Sequence, residues 1–100
     1  MKALVWTPIA LKSLQETVDF LNLTWNSQVV EAFIDLLEEK LDLIQANPEI
    51  APKIGNQEIR RLLIHPTVSL FYELNQDYLK VLLVWDNRQN PDSFYKRLMG

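Results

Sequence analysis

Between Ile59 and Arg88 the chain runs IRRLLIHPTVSLFYELNQDYLKVLLVWDNR, three apolar runs rich in Leu, Ile, Val and aromatics, broken by His65-Pro66-Thr67 and Asn75-Gln76-Asp77. Proline pre-sets a turn dihedral, and Asn and Asp hydrogen-bond their own backbone, so these breaks read as turns and the runs as strands. Connections this short force neighbouring strands antiparallel, because a parallel pair needs a crossover of about a dozen residues or more. The pattern therefore predicts a three-stranded meander. Upstream the period changes from two to between three and four. Leu11, Leu14, Val18, Leu21 and Trp25 share one helical face, and Thr7-Pro8 supplies a cap and a first-turn proline. The first helix is expected to run to about Leu23.

After Asn26 the three-four spacing resumes at Val30, Phe33, Leu37, Leu41 and Ile44, with Ser27 as the expected cap, and it stops before Asn47-Pro48. Two helices joined so tightly pack as an antiparallel hairpin. Lys2 to Trp6 alternates as a first strand would, and residues 49–58 read as a loop. A short helix from Asp92 is expected to end the chain. The predicted fold is α+β: an N-terminal strand, a helical hairpin, then the meander, with sheet and hairpin burying each other's apolar faces in one domain over residues 1–100.

Charge and composition narrow the function. The net charge of −3 is uneven: residues 1–52 hold three lysines against eight acids, and residues 53–100 hold seven Lys and Arg against five acids. A global affinity for nucleic acid is disfavoured, since phosphate binding shows as a basic patch on a basic domain. Glu31, Asp35, Glu38, Glu39 and Asp42 read as the solvated face of the second helix. With no cysteine, one histidine and glycine only at positions 55 and 100, the sequence offers no thiolate or paired-histidine metal site and no glycine-rich phosphate loop. No cofactor is expected. The absence of a signal-peptide pattern or a long apolar run predicts a cytoplasmic protein with no membrane partner. Trp6, Trp25 and Trp85, with Phe33 and Phe71, are expected in the core.

The chemistry that remains lies on and after the strands: Arg60, Arg61, Tyr72, Arg88 and Tyr95. Strand alternation sends Arg60 and Arg61 to opposite faces, so one of them must reach past the helices or lie at an edge. Arginine suits bidentate capture of carboxylate or phosphate, and a nearby tyrosine can stack or donate a proton. The plain alternative is surface pairing with Glu58, Glu73 or Asp86.

Trp6-Thr7-Pro8 with Ala10, the hairpin, Asn47-Pro48, Ile59-Arg60-Arg61, Leu70-Phe71-Tyr72 and the run from Val81 through Trp85 to Arg88, taken in order, resemble the RelE/ParE family of bacterial toxins. The resemblance implies a helical hairpin on an antiparallel sheet and a cognate antitoxin partner whose C-terminal segment wraps the toxin. In the RelE-like branch, which cleaves messenger RNA on the ribosome, basic groups would stand at Arg60, at the position of Leu62 and at that of Ser69. Arg88 and Tyr95 are the remaining matches, so Arg60, Arg88 and Tyr95 are the candidate catalytic residues for a nuclease. Replacement of the basic groups by Leu62 and Ser69 removes charge stabilisation that such a reaction needs. The ParE-like branch, which inhibits DNA gyrase by binding, is the better match through Ile-Arg-Arg, the Phe-Tyr pair and the basic residue after the last strand. That branch implies a binding toxin rather than an enzyme, with Arg60, Arg61, Tyr72 and Arg88 as target contacts. A degenerate, non-toxic member is a third alternative.

Overall fold

The computed structural model describes residues 2–55 and 58–87. Its elements are β1 (Ala3–Trp6), α1 (Pro8–Thr24), α2 (Ser27–Ala46), β2 (Ile59–His65), β3 (Val68–Leu74) and β4 (Tyr78–Asp86). The architecture is the expected α+β arrangement, and β2, β3 and β4 form the antiparallel meander. The terminal helix expected from Asp92 lies outside the described residues.

The sheet order is β1-β4-β3-β2, with β1 parallel to β4. The two helices supply the long crossover that a parallel pair requires. Thr7 fixes the join. Its side-chain oxygen accepts from the Ala10 amide at 3.1 Å and so caps α1, while the same hydroxyl donates to the Val81 carbonyl at 2.9 Å. Past Val81, β4 has no β1 beside it, and α1 takes over: the Val84 amide donates to Ser13 Oγ at 2.9 Å, and that hydroxyl donates to the Ala10 carbonyl at 2.8 Å. Ser13 sits inside the apolar stripe because a β4 backbone donor needs an acceptor there.

Three local expectations are corrected. Asn26 rather than Ser27 caps α2, its side chain accepting from the Val29 amide at 3.0 Å. Trp25, expected in the core, is 65 % exposed because α1 has already ended and the chain is turning into α2. Residues 52–54 are more than a loop. They run beside β2, with Arg61 N–H donating to Pro52 O at 3.0 Å and Ile54 N–H to Ile59 O at 2.9 Å.

The main core lies between sheet and hairpin, and includes Phe33, Leu37, Ile44, Leu62, Ile64, Leu70, Leu79 and Val81. A second cluster, Phe71, Leu83 and Trp85 with Ile54 and Ile59, covers part of the opposite sheet face. The Asn75 turn uses the side-chain chemistry expected of it, and the Pro66 turn adds a bond through His65. The Asn75 side chain accepts from the Asp77 and Tyr78 amides at 3.0 and 2.9 Å, and His65 Nδ1 accepts from the Thr67 amide at 3.2 Å in an exposed turn. No helix among the described residues is long and apolar enough to cross a membrane.

Candidate functional site

Alternation along β2 divides the two arginines. Arg60 is paired in register with Tyr72, and Arg61 with Phe71. Tyr72 belongs to the helix-side core and Phe71 to the cluster on the other face, so Arg60 shares the helix side and Arg61 the outer face.

On the helix side the Arg60 guanidinium reaches the segment that follows α2. One terminal nitrogen donates to Glu49 O at 3.0 Å and to Ala51 O at 2.7 Å, holding carbonyls that no helix or strand satisfies. Its Nε is buried without a partner. Tyr72 is 0 % exposed and its hydroxyl donates to Pro48 O at 2.7 Å. Burial raises the Tyr72 pKa above the ordinary 10.0, opposed by the positive charge of Arg60 and by a backbone hydrogen bond at Ala51. Together Arg60 and Tyr72 fasten the Pro48–Ala51 turn onto the sheet. The expectation that Tyr72 contacts a target is corrected to this extent: a side chain opposite Arg60 on the core face offers no surface to a partner.

The outer face carries Arg61, which is exposed. Its Nε donates to Ser69 Oγ at 2.9 Å, and the Ser69 hydroxyl donates to Asn87 Oδ1 at 2.9 Å. Ser69 is itself fully buried, so this hydroxyl is a fixed support rather than a solvated one. Among the described residues no other acceptor meets the Arg61 guanidinium. Its terminal nitrogens thus keep the planar, charged donor pair that suits a carboxylate or phosphate. Of the acids offered for surface pairing, Glu58 pairs with Lys53 at 3.4 Å rather than with Arg60 or Arg61. Leu62 is buried in the helix-side core. Arg88 and Tyr95 lie outside the described residues.

Sequence reasoning singled out Arg61 but missed the two groups that orient it. Ser69 sits two residues from Phe71, the register partner of Arg61, and so lies diagonally across on the same face. Counting outward from the Pro66 turn would have found Ser69. Asn87 would not have been found, because its side chain arrives from the end of β4 through pairing that no local pattern encodes. Among the described residues no group of three or more His, Cys, Asp or Glu is placed to hold a metal ion.

Solved structures share this fold. A chain of the chromosomal ParDE toxin–antitoxin system from P. aeruginosa superposes with a TM-score of 0.72 at 17 % identity, covering 86 % of this chain and 96 % of that one. A YafQ mutant from E. coli gives 0.58 at 13 % identity, over 86 % and 93 % of the two chains. A copper-bound mutant toxin from Helicobacter pylori gives 0.57 at 23 % identity, over 86 % and 94 %. No curated protein matches by sequence. Residues 4–91 match the model of the ParE toxin of the type II toxin-antitoxin system parDE, and with nearly the whole chain accounted for, this protein belongs to the ParE toxin family.

Proposed function

We propose that this chain is a binding toxin that acts in the cytoplasm, engages a protein target through the outer face of its sheet around Arg61, and is neutralised by a cognate antitoxin. DNA gyrase is the target that family membership suggests. The observation that carries the reading is the Arg61–Ser69–Asn87 chain of hydrogen bonds. It holds one guanidinium in place on an open face, as a contact to a partner's carboxylate requires, while Arg60 on the core face is spent on backbone carbonyls.

The residues at the two positions where the RelE-like branch carries further basic groups speak against ribonuclease action. Cleavage of a phosphodiester needs several cations converging on the developing charge. Leu62 and Ser69 stand where two of them would be, one in the core and one already bonded to Arg61 and Asn87. Arg88, next in sequence to Asn87, is the second candidate target contact.

The test is induced expression in a bacterial host, with and without the adjacent small gene, following growth, plasmid supercoiling and messenger integrity. Arrest with loss of supercoiling, relieved by the neighbouring gene, is expected. Arrest with cut messenger would overturn the binding reading in favour of an endoribonuclease, and neutral growth would identify a non-toxic member.

A further inference from the structure

The outer face of the sheet carries more charge than Arg61. Glu73 and Lys80 are register partners on β3 and β4, and their neighbours Tyr72, Leu79 and Val81 belong to the helix-side core, so alternation places both on the outer face. Their side chains start about 5 Å apart, close enough to pair. Among the described residues, however, neither forms an ion pair or a side-chain hydrogen bond. Ser69 accounts for the absence of an Arg61–Glu73 pair. Ser69 and Glu73 lie two residues to either side of Phe71, the register partner of Arg61. The Arg61 Nε–H donates to Ser69 Oγ at 2.9 Å, which draws the guanidinium away from the carboxylate.

Arg61, Glu73 and Lys80 thus present plus, minus and plus across three neighbouring strands with no charge partner in the chain. Two strand spacings of about 4.8 Å and a two-residue offset of about 6.6 Å put the Cα atoms of Arg61 and Lys80 roughly 12 Å apart. The frame around them is apolar. Val5, beside Lys80 on β1, is 43 % exposed, and Ile59 and Leu82 are half-buried.

The opposite side of the molecule sets the orientation of a partner. Glu31, Asp35, Glu38, Glu39 and Asp42 are all exposed on α2. A partner surface with an excess of acids is repelled by the hairpin and drawn to the sheet, so the charge separation steers docking onto the outer face. A phosphate backbone is the poorer match, because it is uniformly anionic and meets Glu73 with repulsion. A protein surface can offer an acid to each of Arg61 and Lys80 and a base to Glu73.

We propose, building on the binding-toxin reading, that Glu73 and Lys80 join Arg61 as target contacts, and that the target meets them with a surface patterned acid, base, acid, its two carboxylates roughly 12 Å apart. Glu73 makes the contact selective, since a target lacking the central base sets a carboxylate against it or buries it unpaired.

Titration of purified DNA gyrase with toxin variants, at low and high salt and with folding confirmed by circular dichroism, tests the assignment. Lys80→Glu should weaken binding at least about tenfold at low salt, with the difference shrinking at high salt. Lys80→Arg, which keeps the charge, should bind within about twofold of wild type, as should Lys12→Glu on the exposed face of α1. Glu73→Lys should weaken binding about fivefold. If Lys80→Glu does not fold, Lys80→Gln removes the charge without adding an acid beside Glu73 and should weaken binding about threefold. Unchanged affinity in the folded Lys80 variants would overturn the assignment while leaving the binding-toxin reading intact. Tighter binding by Glu73→Lys would overturn it in favour of a uniformly anionic partner, which is nucleic acid if the toxin also binds plasmid alone. Failure of the wild-type chain to bind gyrase would overturn both the gyrase reading and this assignment.

Discussion

Ser13→Ala removes one oxygen atom from the join between α1 and the sheet. In the wild type, Ser13 and Val84 are each 2 % exposed, and the Val84 amide has Ser13 Oγ as its acceptor at 2.9 Å. Alanine leaves that buried donor unsatisfied, which costs about 1–3 kcal/mol. The Ala10 carbonyl loses only an auxiliary bond within the helix. Alanine's better helix propensity returns about 0.5 kcal/mol, so the net loss is about 1–2 kcal/mol. For a domain of this size that corresponds to a melting temperature lower by roughly 5–15 °C. Thr17→Ala is the control. The Thr17 hydroxyl bonds only to the Ser13 carbonyl of its own helix, and its removal should stay within about 0.5 kcal/mol. Thermal and urea unfolding followed by circular dichroism measure both variants. A Ser13→Ala shift below about 2 °C, or one no larger than that of Thr17→Ala, would refute the idea that α1 satisfies the β4 backbone past the end of β1.

Other consequences concern the two arginines and the buried tyrosine. Arg60→Ala strips the guanidinium from the carbonyls of Glu49 and Ala51 and should cost about 1–3 kcal/mol in urea unfolding, whatever its effect on toxicity. Arg61→Ala, on the exposed outer face, should cost no more than about 1 kcal/mol yet abolish growth arrest and gyrase inhibition. Tyr72 makes stability pH-dependent on the alkaline side. Its folded pKa is raised above 10.0, so the unfolded chain loses the proton first, and the contribution present below pH 10.0 is lost as pH rises towards the folded value. Urea titrations at increasing pH should therefore show a steeper alkaline loss for wild type than for Tyr72→Phe. Asn87→Ala should leave Ser69 without its acceptor and loosen Arg61, lowering target affinity while stability changes by about 1 kcal/mol.

What could be read from the sequence follows from the range of the interactions. Helices and meander were legible because the periods of Val30, Phe33, Leu37 and Leu41, and of the three apolar runs, are local signals. The opposed directions of Arg60 and Arg61 followed from alternation alone. Which of them faces outward depends on Leu62 and Ile64 packing beneath α2, a tertiary fact. The parallel pairing of β1 with β4 joins residues more than 70 positions apart and leaves no local trace. Asn26 and Ser27 are both good caps, and where Trp25 leaves α1 decides between them. Of the outer-face site, Arg61 was visible as a residue type and Ser69 only as a departure from a basic pattern. Its role as a buried support requires both the β2–β3 register and Asn87.

The central claim, that the outer sheet face around Arg61 carries toxicity by binding, is tested most directly with purified gyrase, relaxed plasmid and purified toxin. Inhibition of supercoiling by the wild type, its loss in Arg61→Ala of unchanged fold, and its reversal by the antitoxin are the expected results. Undiminished inhibition by Arg61→Ala would contradict the site, and full supercoiling in the presence of wild-type toxin that still arrests growth would contradict gyrase as the target.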